Sequence, residues 1–125
     1  MYDGVCAALL AVPHARAASA HQSHAYVDGA CLYFTFGALP PPEEYDATYH
    51  ALWDAGTRAA LARGASLSHH HGVGVNRSAF VAEALGGGLG VLRAMKHALD
   101  PAGILNPGKL GLPSPWDPAG GAPWA

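Results

Sequence analysis

The sequence predicts an α+β fold in which a β-hairpin packs with three to four helices. Two observations carry this. The run Cys31-Leu32-Tyr33-Phe34-Thr35-Phe36 is aromatic and β-branched and follows an Asp28-Gly29 turn signal, so it reads as a strand. Further along, apolar residues recur at steps of three and four, the pattern of helices with one buried face.

Taken in order, residues 4–12 read as the end of a helix, stopped before Pro13. Residues 15–25 are rich in Ala and His, which have little strand propensity, but the turn and the run that follow make them the partner strand of residues 30–37. Pro40-Pro41-Pro42 ends the hairpin and starts a helix over about 43–63, with Glu43 and Glu44 offsetting the helix dipole in its first turn. Its apolar face is expected to hold Tyr45, Tyr49, Leu52, Trp53, Gly56 and Ala60, and Gly64 is placed to terminate it. Residues 65–77 read as a Gly-punctuated loop or short strand, and a loop of this length tends to be functional. Ser78 is the expected cap of a short helix over 79–85, and a longer helix covers 88–99. Val81, Leu85, Leu92, Met95 and Leu99 are expected on one face of this pair. Residues 101–112 are a Pro/Gly-rich extended segment, and 113–125 read as a frayed, flexible tail.

Composition narrows the function. With 125 residues there is room for one ordinary domain. Charged residues make up 13%, roughly half the usual globular share, so part of the surface is expected to face other protein. The formal net charge is −2 and no basic patch appears, which argues against a nucleic-acid partner. Cys6 and Cys31 do not make a disulfide framework. The N-terminus lacks a basic leader, and the apolar run Val5–Val12 is too short to span a bilayer, so a cytoplasmic location is expected.

The chemical lead is the surplus of histidine, concentrated in Ser68-His69-His70-His71-Gly72-Val73-Gly74. Imidazoles can serve as general base and hydrogen-bond donor near neutral pH. In an extended segment His69 and His71 would share a side and His70 would take the other. Glycines after them let the backbone lie close to a ring system or phosphate. The rival reading is a surface histidine cluster or a His-rich metal module. A structural zinc site is disfavoured, because four ligands at suitable spacing are lacking. Tyr26, at the hairpin end beside His24, is a candidate acid or base. Arg77 precedes a helix and could hold a phosphate or carboxylate. Gly103 to Lys109 has the glycine and lysine spacing of a phosphate-binding loop. Leu110 stands where Ser or Thr must reach magnesium, and Pro107 removes an amide, so that reading fails.

Taken together, the His loop, Arg77 with its following helix, and the ending Asp100-Pro101-Ala102-Gly103-Ile104-Leu105-Asn106-Pro107-Gly108-Lys109 resemble the C-terminal end of FAD-linked oxidases of the vanillyl-alcohol oxidase type. The resemblance covers about residues 14–110. Within that family the Ser-His-His-His-Gly-Val-Gly loop and the Tyr26 to Phe36 run are most similar to the ether-lipid branch, the alkyldihydroxyacetonephosphate synthases. It implies a partial FAD-linked oxidase C-terminal domain over 1–112, with the hairpin as part of an antiparallel cap sheet and 113–125 as tail. It implies FAD as cofactor, contacted by His71, Gly72, Gly74 and Asn106. It implies Tyr26, His69, His70 and His71 as the catalytic cluster, and His24 and Arg77 on a lipid-like small-molecule substrate. The reaction implied is exchange of an acyl group for a fatty alcohol, without net redox. The partner implied is an FAD-binding domain, as an N-terminal part or a separate chain, and a homodimer is possible. No metal is expected. In the hydroxy-acid dehydrogenase branch a Glu stands where this chain has His70, and a second hairpin His where it has Tyr33. A hydroxy-acid oxidase or dehydrogenase, or a non-catalytic remnant, are the alternative readings.

Overall fold

The hairpin forms as expected. In the computed structural model, which describes residues 1–116, β1 (Ala15–Ala25) and β2 (Ala30–Ala38) make a two-stranded antiparallel sheet. Ala18 lies opposite Phe36 and Ala20 opposite Phe34, so small side chains on β1 leave room for the rings of β2. Cross-strand pairing thus compensates for the weak intrinsic strand propensity of β1. The turn is closed by the Tyr26 N–H, which donates to the Gly29 carbonyl at 2.7 Å.

The chain divides into two units, Met1–Ala65 and Ser66–Ala125. In the first, α1 (Tyr2–Leu10) and α2 (Tyr45–Leu61) cover one face of the hairpin. Its core is Val5, Leu9 and Leu52, with Ala18, Phe34, Phe36 and Ala38 packed against them. Phe36 meets Trp53 edge to face at 6.3 Å, a favoured aromatic geometry. The helix expected over 43–63 begins as a 3-10 turn at Pro42–Glu44 and continues as α2. The His14 imidazole meets the Glu44 carboxylate at 3.0 Å, so this glutamate also ties the turn before β1 to the start of α2.

The buried stripe of α2 differs from the expected one. Tyr45 and Tyr49 are exposed, whereas Thr48 is buried and leads to Leu52, Gly56 and Ala60 at steps of four. The reason is the close approach of α1. A Cβ at Gly56 would lie 3.0 Å from a Leu9 methyl, so only small groups fit between these helices and the tyrosines stay at the margin.

Gly64 terminates α2 as expected. It adopts φ +77°, its N–H donates to Leu61 O at 2.9 Å, and the Ala65 N–H reaches back to Ala60 O at 3.1 Å, the paired bonds of a Schellman cap. Open space surrounds the position, so Gly64→Ala is strained by backbone conformation alone. We expect it to cost about 1 kcal/mol, read as a lower melting temperature.

The second unit contains a 3-10 turn at Ser78–Phe80, α3 (Val81–Leu85) and α4 (Gly88–Leu99). Ser78 does not cap α3 with its side chain: its hydroxyl donates back to Val75 O at 2.8 Å, and the 3-10 turn comes between. The core here is Val81, Leu89 and Leu112, with Leu67, Val73 and Leu92 packed against it. The apolar face expected on this helix pair is only partly realised, since Leu85, Met95 and Leu99 are exposed and Leu89 takes the central place. Segment 65–77 is loop throughout. Of the expected tail, residues 117–125 lie outside the described residues. No helix among the described residues is long and apolar enough to cross a membrane.

Candidate functional site

On the hairpin, a β-bulge decides which side chains share a face. Pairing steps from Gln22 opposite Leu32 to His24 opposite Cys31, which leaves Ser23 as an extra residue in β1. Without it, His24 would follow Ala18, Ala20 and Gln22 onto the core face. With it, His24 joins His21 and Tyr33 on the outer face. His21 stacks on Tyr33 at 5.6 Å and His24 on Tyr26 at 6.3 Å, with rings within 18° and 6° of parallel. The His24 Nδ1 is hydrogen-bonded to the Ser23 hydroxyl at 3.1 Å. The structure therefore brings the predicted residues His24 and Tyr26 together and adds a second imidazole–phenol pair.

The His loop is held at both ends. Leu67 before it and Val73 after it pack against the core of the second unit, so the chain between them is pushed outward and His69, His70 and His71 are exposed. The rings do not alternate sides. His69 and His70 have centroids 4.1 Å apart, His70 and His71 4.5 Å, and His70 Nδ1 lies 3.4 Å from His69 Nε2. The expected alternation required extended backbone, and this segment bends at all three residues and gathers the imidazoles. Gly72 and Gly74 follow with φ +73° and +59°, and nothing lies within 4 Å of the place a Cβ would take at either. Backbone there is open to close approach by a ligand. The Ser68 hydroxyl oxygen is buried and has no hydrogen-bond partner among the described residues.

The remaining predicted residues also belong to the second unit. Arg77 is half-buried, just ahead of the 3-10 turn. Asn106 is exposed and holds φ +44°, a left-handed conformation that asparagine tolerates better than most residues. Its turn is organised by residues the sequence reading did not select. The Asp100 carboxylate, 5% exposed, accepts the Ile104 N–H at 3.1 Å and the Leu105 N–H at 2.9 Å. The Lys96 ammonium donates both to that carboxylate and to the Leu105 carbonyl. A Lys-x-x-x-Asp spacing at a helix end was the available signal. The Lys96 hydrogen bond, helped by the two backbone N–H groups, holds the Asp100 carboxyl below its usual pKa against the opposing effect of burial. A depressed carboxylate stabilises the fold above its unfolded pKa, and that contribution is lost as pH falls through the folded value. Wild-type melting temperature is therefore expected to drop on the acid side of about pH 4, with a flatter acid limb in Asp100→Asn.

The sequence profile of the family described as "FAD linked oxidases, C-terminal domain" matches residues 4–110. The chain belongs to that family. Among curated relatives, this FAD-linked oxidase C-terminal domain is 39% identical over 92 residues to the alkyldihydroxyacetonephosphate synthase of Dictyostelium discoideum, covering 73% of the chain and 15% of the relative. It is 38% identical over 96 residues to the enzyme of the same name from Trypanosoma brucei brucei, covering 76% and 16%. An uncharacterised FAD-linked oxidoreductase of Escherichia coli is 31% identical over 94 residues, covering 72% and 19%. The chain thus spans about a sixth of the length of the curated relatives it matches. No solved structure matches it.

FAD is the family's cofactor, and the residues present fit one end of it. A flavin ring presents hydrogen-bond donors and acceptors along one edge. The open backbone at Gly72 and Gly74, the imidazoles beside it and the Asn106 amide match that chemistry. Among the described residues there is no Gly-rich strand-to-helix loop of the dinucleotide-binding kind.

Proposed function

We propose that this chain is the C-terminal catalytic portion of an alkyldihydroxyacetonephosphate synthase-like enzyme, with the family domain running over residues 1–112. The observation that carries the reading is the clustered, outward-held trio His69, His70 and His71, in a chain 39% and 38% identical to two enzymes of that name. The substrate is an acyl-dihydroxyacetone phosphate. Its acyl group departs as a carboxylate, a fatty alcohol oxygen takes the vacated carbon, and the alcohol proton is released. When bound, FAD supplies an electrophilic ring nitrogen that no side chain offers. The His cluster removes a proton from the carbon beside the carbonyl, which needs a base active near neutral pH. Tyr26 serves as acid/base, and His24 and Arg77 bind substrate. His71, Gly72, Gly74 and Asn106 line the cofactor. The partner is an FAD-binding domain, which supplies the pyrophosphate site.

The test mixes the purified chain with the Dictyostelium enzyme truncated before its own matching segment, plus FAD, and follows labelled fatty alcohol into ether product. Exchange that needs both components, without reduction of an electron-accepting dye, supports the proposal. Dye reduction with a hydroxy acid and no exchange would sink it in favour of an oxidase. The chain alone is expected to purify colourless and inactive.

A further inference from the structure

We infer that Lys96 and Asp100 are positioning residues that lock the Gly103–Lys109 turn and thereby aim Asn106. The inference rests on the cofactor role proposed above for Asn106. Ile104 and Leu105 are 65% and 63% exposed, so their side chains do not anchor the turn, although the Pro115 ring packs close to Gly103. The backbone at 104 and 105 is held by polar groups. The two oxygens of one buried carboxylate take the N–H groups of Ile104 and Leu105, and the Lys96 ammonium bridges that carboxylate to the Leu105 carbonyl. Both backbone polar groups of Leu105 are therefore engaged, immediately before Asn106. On the far side the chain returns to the core, where Leu112 is 7% exposed and Gly111 lies 3.7 Å from Ser78 O and Val81 Cβ by its added-Cβ position. Between these two anchors the chain passes through left-handed backbone at Asn106, Gly108 and Leu110. Asparagine and glycine tolerate that conformation, whereas a leucine such as Leu110 adopts it rarely and where its surroundings impose it.

The two groups need each other. The Asp100 carboxylate is buried and costly to leave without its cation, and half-buried Lys96 without that carboxylate loses the partner that holds it on the Leu105 carbonyl. Loss of either partner is thus expected to release the turn while leaving the apolar core of Val81, Leu89 and Leu112 in place.

The test uses NMR on the labelled full chain, comparing wild type with Asp100→Asn, Lys96→Met and Lys96→Arg. Amide exchange at Ile104, Leu105 and Asn106 is expected to rise about tenfold or more in Asp100→Asn and Lys96→Met. Val81 and Leu89 should keep their protection, and Lys96→Arg should restore much of the turn. Titration with millimolar FMN supplies a readout that simple destabilisation would not move. In wild type the Asn106 side-chain amide and the Gly72 and Gly74 amides should shift. In Asp100→Asn the Asn106 response should vanish while the glycine responses stay. Unchanged exchange at the turn in both variants overturns the clamp whatever FMN does, and so does loss of Val81 and Leu89 protection together with the turn. FMN that shifts no wild-type resonance fails the cofactor reading instead, and the exchange pattern then decides the clamp alone.

Discussion

Replacing Leu9 with alanine is expected to remove about 2–5 kcal/mol of stability from the Met1–Ala65 unit, enough to unfold a unit of this size. Leu9 is 1% exposed and sits among Val5, Leu52 and the inward face of the hairpin. Truncation leaves a cavity that backbone movement can fill only in part, because the facing position on α2 is Gly56, which has no side chain to repack. Hydrogen exchange across α1, β1, β2 and α2 should report the loss together. A loss below about 1 kcal/mol would mean that α1 is not pinned on α2 as described. Leu9→Met, which nearly conserves volume, should cost under about 1.5 kcal/mol and serves as the control.

Replacing His69, His70 and His71 together with alanine is expected to lower the reconstituted exchange rate by about 10²–10⁴-fold, the usual contribution of positioned acid–base groups. The three rings are exposed, and the loop's anchors, Leu67 and Val73, remain, so the melting temperature should hardly move. Exchange that survives within about threefold of wild type would remove the cluster from the chemistry. The pH–rate profile separates the roles further: a base limb in the neutral range should disappear with the imidazoles.

Most of the fold was legible from local signals. The hairpin was readable because Asp28-Gly29 is a strong turn signal and the β2 run is strongly β-forming. The end of α2 was readable because the left-handed residue that closes a Schellman cap is best supplied by glycine, and Gly64 stands there. Face assignments were harder. Periodicity named Tyr45 and Tyr49 for the core, but the stripe runs through Thr48, because helix separation and not hydrophobicity decides which residues fit against Leu9. Ser78 carried a cap signal, yet an intervening 3-10 turn sent its hydroxyl elsewhere.

The site divides the same way. The sequence by itself determined its chemical inventory: three adjacent imidazoles, two glycines after them, and a family ending that includes Asn106. That much follows from residue types and spacing, which do not depend on the path of the chain. Tertiary structure alone decided how those groups are presented. A single bulged residue, Ser23, turns His24 to the outer face, because strand side chains alternate and one insertion reverses them. A bend drawn between the buried anchors Leu67 and Val73 gathers rings that an extended chain would have dealt to opposite sides. The Lys96–Asp100 clamp fixes the turn before Asn106, because a buried carboxylate is stable only with its charge and hydrogen bonds satisfied, and nothing in residue spacing shows that Asp100 will be buried with half-buried Lys96 against it.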